Sequence, residues 1–169
     1  MKQLKKVAVA VVLFIAATSF VQAQSKIAHI NVTELLSQMP EMQAAQAELK
    51  KLEETYRADI QSSLDELKNK LTQYNNEASS MSQEENQKRA LELQGFERNI
   101  GEAQQAAQQE LSKKQAELFE PISKKAKEAI EKVAAAQGFD YVVDASPGGG
   151  ILVSKGKDLL PDVKKELGF

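Results

Sequence analysis

The sequence predicts an α+β chain in which a long antiparallel helical hairpin projects from a small β-containing body. Three observations carry that expectation. From Glu41 to about Ser79 there is neither Gly nor Pro, and apolar residues recur at steps of three and four. A second seam of the same spacing runs from Leu93 to Val133 after a polar break around Asn75–Ser82. Outside these two runs the period changes, and short β-branched stretches lie at 27–32 and after Gly138. Composition agrees: 42% of the 169 residues are hydrophobic but only 5% aromatic, and 27% are charged. That balance suits long helices better than a thick globular core.

The chain opens on Met1–Ala23, which reads as a secretory signal. Lys2, Lys5 and Lys6 form a basic start, Val7–Phe20 an apolar stretch, and Val21-Gln22-Ala23 a small-residue site for cleavage after Ala23. The apolar stretch is short for a membrane anchor, which needs about 20 residues. No cysteine occurs, which excludes a lipid-anchored lipoprotein, disulfides and thiolate chemistry. The expected location is the periplasm.

Lys26–Val32 reads as a strand, and Thr33 as the cap of a brief helix over Glu34–Gln38. Pro40 suits the first turn of the next helix, where its missing N–H costs nothing. The outgoing seam is Leu49, Leu52, Tyr56, Ile60, Leu64, Leu67, Leu71 and Tyr74, with a stretch between Leu52 and Leu64 that relaxes the supercoil. Ser82 and Glu85 form a capping box for the returning helix. That helix extends to about Gln137, with a seam including Leu93, Phe96, Ile100, Ala103, Ala107, Leu111, Leu118 and Ile122. Gly138 sits at its C-cap. A turn near residue 80 pairs Leu64 with Phe96, Ile60 with Ile100 and Leu49 with Leu111. Gly95 and Gly101 weaken the returning helix.

After Gly138, Phe139–Asp144 and Ile151–Ser154 read as two strands of a β-hairpin joined by Ser146-Pro-Gly-Gly-Gly150, and Asp158–Leu167 as a terminal helix. The resulting division is a signal at 1–23, a body and oligomerisation domain from 24–40 with 121–169, and a coiled-coil hairpin over 41–120. The body is too small to bury its apolar strands alone. Ile27, Ile30, Val32, Val142, Val143, Ile151 and Val153 are therefore the expected core of an oligomer built through the sheet. Pro40 and Pro121 fall at one level of the hairpin, a candidate hinge at its neck.

Several function classes are disfavoured. The single histidine, His29, reads as a packed or exposed strand residue, and no catalytic, metal or cofactor constellation is apparent. Pro147-Gly-Gly-Gly150 lacks the Lys-Ser/Thr ending of a phosphate loop. The net charge of −2 argues against a general nucleic-acid binder.

The signal, the strand Lys26-Ile-Ala-His-Ile-Asn-Val32, the charged hairpin, and the closing segment Gly138-Phe-Asp-Tyr-Val-Val-Asp-Ala145 together resemble the Skp/OmpH family of periplasmic chaperones. The resemblance covers the whole chain after the signal. It implies a homotrimer whose strands form a central body with three tentacles around a cavity. It also implies ATP-independent holding of unfolded outer-membrane proteins, without cofactor or catalysis. One feature departs from the basic members of that family. Residues 41–120 carry 10 Lys/Arg against 16 Asp/Glu, a net of −6. Lys88, Arg89 and Arg98 on the returning arm read as solvated helix charges, with a residual basic patch as the alternative; no lipopolysaccharide site is assigned, and membrane contact is not an expectation. The alternative function is a structural or adaptor coiled coil of the cell envelope.

Overall fold

A computed structural model describes residues 25–169; the signal expected at 1–23 lies outside the described residues. The element order is β1 (Ile27–Ile30), α1 (Val32–Gln38), α2 (Pro40–Glu77), α3 (Gln83–Gln137), β2 (Tyr141–Asp144), β3 (Lys157–Asp158) and α4 (Leu160–Leu167). A single 3-10 turn, Ala78–Ser80, joins the two long helices. At 38 residues, α2 spans about 57 Å.

Local chemistry sets the ends. Asn31, rather than Thr33, caps α1: its side chain accepts from the Glu34 N–H at 3.0 Å. Asn31 lies one turn before Glu34, so the helix starts at Val32, earlier than expected. Pro40 is at the first turn of α2. Ser82 accepts from the Glu85 N–H at 3.2 Å and opens α3. Gly138 ends α3 with φ of 72°, and the Phe139 N–H reaches back to the Ala134 carbonyl at 3.0 Å. Pro121 lies inside α3, which continues through it without interruption.

The sheet departs from the expected β-hairpin. Its order is β2-β1-β3, with both outer strands parallel to β1. Ile27 pairs with Tyr141 and Ile30 with Asp144, while His29 pairs with Asp158. Parallel neighbours need long crossovers. The whole helical excursion supplies the first, and residues 145–156 supply the second. Ile151–Ser154 is therefore crossover and not strand. The glycine run favours this: Gly148 and Gly150 adopt positive φ, and a wide glycine bend does not impose the register of a two-residue hairpin turn.

The core lies in the body and the hairpin base. Ile30, Leu35, Met39, Leu159 and Val163 are fully buried, packed with Met42, Ala45, Ile122, Ala126 and Val133. Towards the tip, burial thins to single residues such as Leu67, Ile100 and Ala107.

Candidate functional site

Two surfaces carry chemistry in this shape: the sides of the hairpin and the sheet with its crossover. Among the described residues no group of His, Asp or Glu is arranged to hold a metal ion.

Interhelical ion pairs report the hairpin register. Glu41 pairs with Lys125, Glu48 with Lys114 at 2.9 Å, Lys70 with Glu92 at 2.8 Å, and Glu77 with Arg89 at 2.8 Å. The partners meet two to six residues further along α3 than a turn at residue 80 would give. The 3-10 turn and the Ser82 cap move the centre of the hairpin towards the C-terminus. Within the outgoing seam Leu64 is 39% exposed and Leu71 37%, while Leu67 is buried. Leu49, Ile60, Phe96 and Leu111 are half-buried, and Ile100 is buried.

Near the tip the Tyr74 hydroxyl donates to Glu92 at 2.7 Å, beside Lys70. The Lys70 ammonium holds the Glu92 carboxyl below its ordinary value, and Glu92 in turn raises the pKa of both Lys70 and Tyr74. Glu77 is lowered by the Gln73 amide and then by Arg89.

At mid-arm the packing changes. α2 presents Tyr56 and Ile60, and α3 answers with Ala103 and Ala107. The missing side-chain volume leaves an open groove of about 510 Å³, floored also by Phe96 and Ile100 and edged by Asp59 and Glu110. Large apolar residues also face solvent elsewhere along the arm: Leu71, Met81 and Leu91.

In the body, Asp144 and Ser146 form a clasp. The Ser146 hydroxyl donates to Asp144 at 2.6 Å, and the Asp144 carboxylate accepts from the Val32 and Ser146 N–H groups at 3.3 and 2.9 Å. Ser146 also accepts from the Thr33 N–H at 3.0 Å. The end of β2 is thereby tied to the start of α1, and the Ser146 hydroxyl is the first cause of a lowered Asp144 pKa. The Val-Val-Asp-Ala segment carries the family resemblance, and the clasp gives its aspartate a structural role that the resemblance does not imply. An aspartate two residues before a serine was the available signal.

Residues 26–167 match the family described as Outer membrane protein (OmpH-like). The chain belongs to the OmpH-like family. Its relatives include the Chaperone protein Skp of Pectobacterium atrosepticum, 26% identical over 155 residues, covering 92% of this chain and 93% of the relative. The Chaperone protein Skp of Vibrio cholerae is 26% identical over 128 residues, 74% of each chain. A crystal structure of an OmpH-like protein from Caulobacter crescentus has the same fold. Its TM-score is 0.74 at 16% identity, over 86% of this chain and 85% of that one. The OmpH-like family is one of chaperones rather than enzymes.

Within this OmpH-like fold the residues expected at the oligomer core divide. Ile30 is buried inside the subunit, and Val32, Val142 and Val143 are half-buried. Ile27 is 55% exposed, Ile151 39% and Val153 73%. Ile151 and Val153 sit on the crossover, so they share no strand face with the others. Pro40 and Pro121 are both exposed at the base of the arms.

Proposed function

We propose that this OmpH-like chaperone is an ATP-independent periplasmic holdase that keeps unfolded outer-membrane proteins from aggregating in transit. The observation that carries the reading is the arm itself. It is two helices thick and highly charged, yet it exposes separate apolar side chains and shallow grooves along its length. An unfolded outer-membrane strand alternates apolar and polar residues and aggregates when left free. Many weak contacts along such arms retain it by avidity, and no nucleotide is needed.

The working form in this reading is a homotrimer. Its support is the apolar surface left uncovered on one subunit: Ile27, Tyr141, Leu152 at 97% exposure and Val153. β2 is also an edge strand, with no neighbour on its outer side among the described residues. The body then comprises 24–40 with 121–169, and the tentacle 41–120, with removal of a signal after Ala23. No helix among the described residues is long and apolar enough to cross a membrane.

The test is native mass measurement of the mature chain, alone and with a urea-unfolded outer-membrane protein. Three subunits, plus one client on mixing, is the expected result. A structural adaptor would show no client-bound species and no suppression of client aggregation. A plain spacer also has no need of the β body.

A further inference from the structure

We propose that the mid-arm groove is a docking site for one bulky apolar side chain of an extended polypeptide that carries Lys or Arg two positions away. The proposal rests on the holdase reading and adds to it a place and a sequence preference. The groove arises from a local shortage of side-chain volume. Below it Leu49 and Leu111 are both leucines, and above it Leu67 is large and buried, with Phe96 closing that end of the floor. Only between them do Tyr56 and Ile60 face alanines. A cavity of about 510 Å³ open to solvent can take an aromatic or aliphatic group without separating the helices.

Charge selects the neighbour of that group. Along the arm Glu41, Glu48, Glu77 and Glu92 each pair with a cation of the other helix. On the opposite side of the same level Glu53 pairs with Arg57 at 2.5 Å. Asp59 and Glu110, at the rim of the groove, have no such partner among the described residues. An apolar floor beside two uncompensated carboxylates favours an apolar side chain with a cation close by. In an extended chain, residues two apart lie on the same side about 7 Å from each other. A Phe and a Lys so placed can enter the groove and approach the rim together.

The experiment uses the mature full-length chain and fluorescein-labelled ten-residue peptides bearing Phe and, two positions on, Lys or Glu. The Phe/Lys peptide binds more tightly than the Phe/Glu peptide. Ala103→Leu fills the groove from an exposed position, and its expected effect is about a tenfold loss of affinity for Phe/Lys with Tm unchanged. If Tm falls, Ala106→Leu, exposed on the same side, is read instead. Asp59→Asn with Glu110→Gln removes the preference between the peptides, a change of about threefold. Equal binding of both peptides by the unaltered protein, or undiminished Phe/Lys binding by the filled variants, overturns the proposal. Suppression of outer-membrane-protein aggregation is measured in parallel. If it is retained while the groove results fail, the docking site falls and the holdase reading stands. If the unaltered protein suppresses nothing, the holdase reading itself falls.

Discussion

The guanidinium of Arg89 lies over the ring of Tyr74, 4.5 Å from its centroid, and locks the distal end of the hairpin. On its other side Arg89 reaches Glu77 at 2.8 Å and Glu85 at 3.9 Å. Arg89 is thus not the solvated charge expected from the sequence: its side chain is 15% exposed, its Nη1 is buried without a hydrogen-bond partner among the described residues, and the electron-rich ring face below offers partial compensation. This one side chain joins the last turn of α2 to the first two turns of α3, where apolar burial is thinnest. Arg89→Ala should speed amide exchange several-fold around residues 74–92 and leave the body unchanged. Arg89→Lys restores charge but not the flat stacking, so its recovery is partial. Equal protection in all three proteins would remove Arg89 from this role.

The Asp144 clasp makes a pH prediction. Its carboxyl is depressed in the folded chain, so at low pH the unfolded chain binds more protons than the folded one. The stabilisation is present above the unfolded value, near 3.8, and is lost as pH falls through the depressed folded value. Asp144→Asn keeps one acceptor oxygen but no charge, at a cost of about 1 kcal/mol at pH 7. The difference in Tm between the two proteins should close between pH 4 and the acid limit of folding. A gap that is constant with pH would mean the charge contributes nothing.

The trimer reading predicts that a charge in the sheet dissociates it. Val143 is half-buried on β2 and pairs with His29 of β1. Val143→Asp should reduce the native mass to one subunit while the helical circular dichroism of the arms persists. Observation of one subunit for the unaltered protein would end the trimer idea.

Client holding by these arms should be apolar and adaptive in the main. Residues 41–120 carry a net charge of −6, so an acidic client gains nothing from long-range attraction. At physiological ionic strength, charges beyond about 8 Å are largely screened. Added salt should therefore leave binding of an acidic outer-membrane protein unchanged or tighten it. A steep loss of affinity between low and physiological salt would refute this.

The helices were legible because their signals are local and repeated. Apolar steps of three and four, the Ser82 cap and the Gly138 stop each act within a turn or two. The family was legible because strand, hairpin and closing segment occur in a fixed order. The register was harder. It depends on whether Ala78–Ser80 winds as 3-10 helix, and a shift of one residue in the turn centre moves each partner by two. The shift leaves Leu64 exposed and Leu67, the next seam residue, buried. The sheet was hardest. Ile151-Leu-Val153 has strong strand propensity, but the far edge of β1 is taken by Lys157–Asp158. Propensity does not say which edge a strand will find. The mid-arm groove was hidden for a related reason: alanines satisfy an apolar pattern as well as leucines do, and only geometry shows the volume they leave.

Pro40 and Pro121 give the last prediction, a hinge at the neck of the tentacle. Pro40 opens α2, and Met39 before it is extended and fully buried in the body. Pro121 lies inside α3, where it has no N–H to give to the Glu117 carbonyl and its ring crowds the preceding turn. In the observed register the Glu41–Lys125 pair lies between the two prolines, so Pro121 sits about one turn nearer the tip than Pro40, and the Glu48–Lys114 pair closes the neck on the tip side. The packed core ends around Pro121, where Met42, Ala45 and Ile122 are buried; towards the tip burial is sparse. A stiff base meeting a thin arm at a missing hydrogen bond is where bending costs least. Pro121→Ala restores that bond and should raise helix stability by as much as about 3 kcal/mol. Spin labels near Ser80 should then show a narrower spread of tip-to-tip distances within the trimer, with the native mass unchanged. Gly95 and Gly101 provide the contrast, since each has open space for a Cβ and can become Ala without a clash. If the neck is the hinge, Gly95→Ala with Gly101→Ala stabilises the arm but leaves the distance spread as it was. Narrowing in the glycine variant and none in Pro121→Ala would move the hinge to mid-arm.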